Sequence, residues 1–169
     1  GLRGVLYQEV FSPKPEEAEQ ALESVKRKMV LLESRLARWP QEARLQASAL
    51  DGSGDVARRR ERVTLGVSPH ALFTVSAPLF QKAVRFAQER NYPVCIHAAE
   101  SEAETELVRD GSGPMMESYR QRSIGWNPPR TSPIAYLRDL GILNPGTLVV
   151  HCIRLESSDY ETLSKQGVG

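Results

Sequence analysis

At 169 residues, 40% of them hydrophobic and 25% charged, the chain is long enough to bury a real core and reads as one soluble globular domain, 1–169. A formal net charge of +1 supplies no basic excess for nucleic acid, and no apolar run nears the roughly 20 residues that cross a bilayer. Two cysteines, Cys95 and Cys152, are too few for a disulfide scaffold and are expected reduced and buried; with no signal-peptide pattern, the expected compartment is the cytoplasm.

Four apolar, β-branched runs punctuate the chain: Gly4 to Phe11, Val63 to Val67, Tyr92 to Ile96 and Thr147 to Ile153. Near-continuous apolar runs are how strands covered on both faces of a parallel sheet read. After the first run, Pro15 suits a first helical turn, and Ala18, Ala21, Leu22, Val25, Met29, Leu32 and Leu36 recur at helical spacing. Ser76-Ala77-Pro78 opens a second helix with Leu79, Ala83, Phe86 and Ala87 on one stripe. Ser101 to Glu104 has the form of a capping box opening a third, and Ser132-Pro133 opens a fourth that Gly141 can close. Ser158 to Glu161 offers a further capping box for a last helix closed by Gly167.

The predicted order is β-α-β-α-β-α-α-β-α, an α/β class with parallel pairing through right-handed crossovers. Four strands make half of a TIM-type (β/α)8 barrel, or a small open sheet with helices on both faces. Two segments break the pattern. Leu50 to Arg60 reads as a polar, flexible loop; Asp110 to Pro129, with Met115, Met116 and Trp126, reads as an insertion covering a site or as a packed connector. The chain lacks an initiator Met and stops just after Gly167, as expected of an internal fragment.

All three histidines fall at the carboxyl end of a predicted strand: His70 after VTLGVSP, His97 after PVCI, and His151 within TLVVHCI. That edge is where ligands and catalytic groups gather in parallel α/β proteins. Alternation puts Cys95 and His97 on one face, and Val149 and His151 on one face; if both faces line a barrel interior, the imidazoles share a mouth. Glu100 follows His97 by three residues and can lean back over the strand end. Imidazoles beside a carboxylate are the parts of a hydrolytic metal site, in which a metal acidifies water and the carboxylate moves its proton. Each residue also has a plainer reading: His70 as a strand cap, Glu100 as a first-turn acid favoured by the helix dipole, His151 as a buried, hydrogen-bonded ring.

VSPHALFTVS, PVCIHAAES and TLVVHCIRL, in that order on successive strands, resemble the amidohydrolase superfamily, in its branch of guanine, S-adenosylhomocysteine and aminofutalosine deaminases and triazine hydrolases. GLRGVLYQEVF is similar to that family's third barrel strand, so the likeness runs over nearly the whole chain as about strands three to six. The resemblance implies His97 as a metal ligand, Glu100 as the proton carrier, His151 as the group that orients and helps deprotonate water, and His70 as a substrate contact. It also implies one divalent metal, zinc foremost and iron as the alternative. The implied reaction is displacement of ammonia or chloride from a nitrogen heterocycle by metal-bound hydroxide. The family's strand-one His-x-His and strand-eight Asp have no counterpart here, and Arg154 stands where many relatives carry a second histidine. The isolated chain is therefore expected to be inactive, with self-association or missing barrel segments as its partners. The competing expectation is a non-catalytic truncated relative serving as an interaction module.

Overall fold

The computed structural model describes residues 4–47 and 63–169, with side chains described for 4–38 and 63–169. Four strands, β1 (Gly4–Val10), β2 (Val63–Pro69), β3 (Val94–Ala98) and β4 (Thr147–His151), form one sheet in the order β1-β2-β3-β4. Every neighbouring pair is parallel, as the predicted alternation of strands and helices requires. The strands lie within two residues of the expected runs; β3 starts and ends later than Tyr92–Ile96, and β4 stops at His151.

Six helices follow: α1 (Ala18–Ala47), preceded by a 3-10 turn at Pro15–Glu17, α2 (Ala77–Glu89), α3 (Glu102–Asp110), α4 (Gly113–Gln121), α5 (Pro133–Asp139) and α6 (Ser157–Gln166). The predicted stripe of α1 is its packed face, with Ala18, Leu22, Val25 and Met29 buried. In α2 the buried face is wider than the stripe, since Phe80 and Val84 are buried as well. Gly141 and Gly167 take the left-handed conformation after α5 and α6, with φ of 72° and 63°.

The segment Asp110 to Pro129 is a packed connector carrying its own helix, α4, which the sequence reading did not place. Tyr119 and Ile124 bury against Leu107, with Phe73, Met115, Met116 and Trp126 packed around them. The Trp126 indole donates to the Leu107 carbonyl at 2.9 Å, which pins the connector to α3. The last helix starts earlier than expected: Glu156, not Ser158, precedes it, and the Glu156 N–H donates to Asp159 Oδ2 at 2.9 Å. The expected loop at Leu50 to Arg60 lies outside the described residues.

Register sorts the sheet's two faces, because directly paired residues of parallel strands point the same way. Val67 pairs with Val94, Val94 with Thr147 and Ile96 with Val149; all are buried on the helix-covered side. The opposite face carries Val5, Tyr7, Glu9, Ser68, Cys95, His97 and Leu148, with Val5 and Leu148 each 42% exposed. Both cysteines are free; Cys95 is buried, while Cys152 is only half-buried. Beyond β4, Gly169 donates to the Thr147 carbonyl at 3.1 Å and accepts from the Val149 N–H at 3.0 Å. Those two bonds have the pattern of a parallel ladder, and they engage part of the outer edge of β4 after α6. No helix among the described residues is long and apolar enough to cross a membrane.

Candidate active site

The carboxyl ends of the four strands carry a continuous row of rings. Phe11, just past β1, lies 4.8 Å from His70 between ring centroids; His70 lies 4.8 Å from His97, and His97 lies 5.4 Å from His151. All three histidines therefore meet at one edge, as their placement in the sequence suggested. Phe11 was not foreseen. An aromatic side chain at a strand end carries no chemical signal until the sheet order sets it beside His70.

His97 is oriented by a backbone group. Its Nδ1 is 2.9 Å from the His70 carbonyl oxygen, which can only accept. In the neutral ring Nδ1 therefore holds the hydrogen and Nε2 the lone pair, the tautomer a metal ligand needs. The backbone supports the same alignment, since the His97 N–H donates to the same carbonyl at 2.8 Å.

His70 is half-buried and hydrogen-bonds through Nδ1 to Thr74 Oγ1 at 2.9 Å. Thr74 also accepts from the Ala71 N–H at 3.2 Å, so a short turn after β2 holds the ring in place. Burial, and then the neighbouring His97, push the His70 pKa below its ordinary value. The ring sits between Phe11 and His97, with the Phe73 ring nearly perpendicular to it at 6.4 Å between centroids.

His151 reaches the site by a different route from the one alternation suggested. Its register partner is Ala98, and its neighbour Val149 is buried on the helix side, so a regular strand would turn His151 toward the helices. Instead His151 has φ of 77° and Cys152 φ of 52°. The left-handed backbone rotates Cβ about the N–Cα bond and swings the ring to the opposite face, beside His97. Strain of this kind in a residue other than glycine concentrates at functional sites. The expectation that strand alternation alone aligns His97 and His151 is thus corrected: they converge because β4 ends in a left-handed turn.

Glu100 lies before α3, whose cap is Ser101, so it is outside the first helical turn. Its Oε1 stands 3.6 Å from His151 Nε2, with both side chains partly exposed. Arg154 pairs with Glu102 at 2.5 Å, and Arg109 pairs with Glu156; together they tie α3 to the segment after β4. Exposed pairs of this kind contribute little each, and they position more than they stabilise.

Among the described residues no group of three or more His, Cys, Asp or Glu is placed to hold a metal ion. By its chemistry His97 fits one coordination position, with a fixed tautomer and a free Nε2. A closed tetrahedral set needs further donors.

A parallel β/α sheet with imidazoles and a carboxylate at its carboxyl edge is an arrangement shared by β/α barrels and open doubly wound sheets, both of which gather ligands at the strand ends. The chain belongs to the amidohydrolase family, whose sequence pattern matches residues 42–169. It is 29% identical to aminodeoxyfutalosine deaminase of Deinococcus radiodurans over 98% of this chain and 36% of that protein. It is 31% identical to a 5-methylthioadenosine/S-adenosylhomocysteine deaminase of Syntrophobacter fumaroxidans over 63% of this chain and 20% of that protein. Among solved structures, Helicobacter pylori aminofutalosine deaminase in complex with methylthio-coformycin superposes with a TM-score of 0.62 at 16% identity. That match covers 97% of this chain and 35% of the other, and it is a likeness of fold. The four strands are accordingly a section of a (β/α) barrel, and the chain spans only about a third or less of the length of these relatives.

Proposed function

We propose that this chain supplies the proton-transfer half of an active site that hydrolytically removes an amino group from a purine-type ring. The observation that carries the reading is the convergence of Glu100 and His151 at 3.6 Å, beside a His97 whose Nε2 is left free. The names of the relatives, deaminases of adenosine-like compounds, support the substrate class.

In this reading His97 would hold one position of a divalent metal, zinc or alternatively iron, which when bound would supply Lewis acidity to a water molecule. Glu100 takes a proton from the attacking water and delivers it to the ring nitrogen, then carries the remaining hydroxyl proton to the departing amino group. The water oxygen bonds to the amine-bearing ring carbon, the carbon–nitrogen bond breaks, and ammonia leaves. His151 holds the water by a second polar contact from the neighbouring strand. His70, neutral and half-buried, contacts the ring of the substrate.

Activity requires metal ligands beyond His97, because the described residues hold no group of three. The same observation favours a second reading for the 169-residue chain by itself, that of a non-catalytic module. Metal content and ammonia release separate the two. Zinc or iron near one per polypeptide, with turnover, supports the first reading. A polypeptide that releases ammonia without bound metal contradicts it, and one that neither binds metal nor turns over supports the second.

A further inference from the structure

Glu104 is wholly buried at the third position of α3, an unusual place for a carboxylate. A standard capping box would send it to the N–H of the cap residue, Ser101. Only half of that box forms: Ser101 Oγ accepts from the Glu104 N–H at 3.3 Å. The Glu104 Oε2 instead accepts the N–H of Glu100, one residue further back, at 2.8 Å.

The turn that carries Glu100 is clamped on its other side as well. Ala99 is buried and left-handed, with φ of 53°, and its carbonyl accepts the N–H groups of Ile153 and Arg154, each at 2.9 Å. The Cys152 N–H reaches the Ala98 carbonyl at 3.1 Å. The turns after β3 and β4, which hold Glu100 and His151, are therefore hydrogen-bonded to each other, with Glu104 beneath them.

Asp159 offers a contrast inside the same molecule. It is the buried acid at the third position of α6, and its Oδ2 likewise accepts a backbone N–H from the preceding turn. Its other oxygen accepts from Ser132 Oγ at 2.5 Å, so both oxygens of Asp159 are satisfied and its role is a structural tie. Glu104 Oε1 has no partner among the described residues. A buried oxygen left unpaired is a cost to the fold, and here that cost accompanies the bond to the backbone of Glu100.

We propose that Glu104 is a positioning residue: by taking the Glu100 N–H it fixes the turn from which the Glu100 carboxylate reaches His151. The assignment rests on the proposed role of Glu100 for its catalytic consequence, but not for its geometry. Glu104 touches no reacting atom. It acts through the backbone it holds.

The test is amide exchange at Glu100, read by NMR on the 169-residue chain for the wild type, Glu104→Gln and Glu104→Ala. The Gln side chain keeps an acceptor oxygen. Glu104→Gln should leave the Glu100 amide protected, and Glu104→Ala should raise its exchange by about tenfold or more while Leu107 and Val108 stay protected. Equal exchange at Glu100 in the wild type and Glu104→Ala, with α3 closed, overturns the proposal. Should Glu104→Ala open α3, the Gln variant decides: retained protection at Glu100 supports the assignment, and lost protection with α3 intact overturns it. In the active polypeptide, Glu104→Ala should lower kcat with KM nearly unchanged, and Glu104→Gln should restore most of it; a fall in both parameters without rescue counts against positioning. The exchange measurement needs no substrate, so a wild type without turnover bears on the proposed function alone.

Discussion

Glu104 and the three histidines set the behaviour of the molecule at the scale of single residues. Burial pushes the Glu104 carboxyl up to about 7, against 4.5 for an exposed glutamate. A folded-state pKa above the unfolded one means that the native state binds more protons, so the stability Glu104 contributes is full below pH 4.5 and is lost as pH rises to about 7. The shift corresponds to roughly 3 kcal/mol, as an order of magnitude. Urea titrations across that window should show the loss in the wild type and a flatter profile in Glu104→Gln; parallel profiles would count against a buried, titrating Glu104. At His97, the fixed tautomer predicts that His97→Ala loses bound metal in the polypeptide with its ligand set complete, as read by elemental analysis. Undiminished metal would remove His97 from the ligand set.

Among the elements, β2 depends on a close approach. A Cβ on Gly66 would lie 2.5 Å from two atoms of the Tyr7 ring and 2.8 Å from the Pro93 carbonyl oxygen. The ring could shift, but the backbone carbonyl is held by its bond to the Val67 N–H at 3.0 Å. Gly66→Ala should therefore destabilise the fold by about 1–3 kcal/mol in a denaturant melt, and Tyr7→Ala in the same chain should relieve only part of that. Asp159 joins two helices: Ser132 Oγ accepts from the Ala135 N–H to cap α5 while bonding Asp159, which in turn takes the Glu156 N–H before α6. Asp159→Ala leaves those donors unpaired and should cost about 1–3 kcal/mol by the same measurement. The elements themselves were mostly legible in the sequence, because apolar period and turn residues are local signals. The packed helix α4 was not, since its burial depends on Leu107, Phe73 and Trp126, which only the tertiary fold brings to it. Likewise, the step of Glu104 past Ser101 to Glu100 is a choice of one backbone donor over its neighbour, and no residue pattern separates the two.

Over the whole molecule, one face of the sheet is packed by helices and the other is open, with Val5 and Leu148 exposed along it. A sheet of this shape is a section of a barrel wall, and its strand ends carry the proposed site. Exposed apolar side chains on the open face predict that the 169-residue chain by itself self-associates, with a mass in sedimentation that rises with concentration; a monomer at all concentrations would contradict that. The three histidines, each at a strand end, made their shared edge legible, because in parallel α/β topology successive strands end on the same side. How the rings meet was not legible. His151 belongs by register with the helix-facing residues, and only its left-handed backbone brings it to His97 and Glu100. The measurement that tests the central claim most directly is ammonia release from 5-methylthioadenosine, comparing wild type with Glu100→Gln in the polypeptide with its metal set complete. The account predicts a fall in turnover of roughly 10²–10⁴-fold with metal content nearly unchanged. Equal turnover in the two proteins would contradict it.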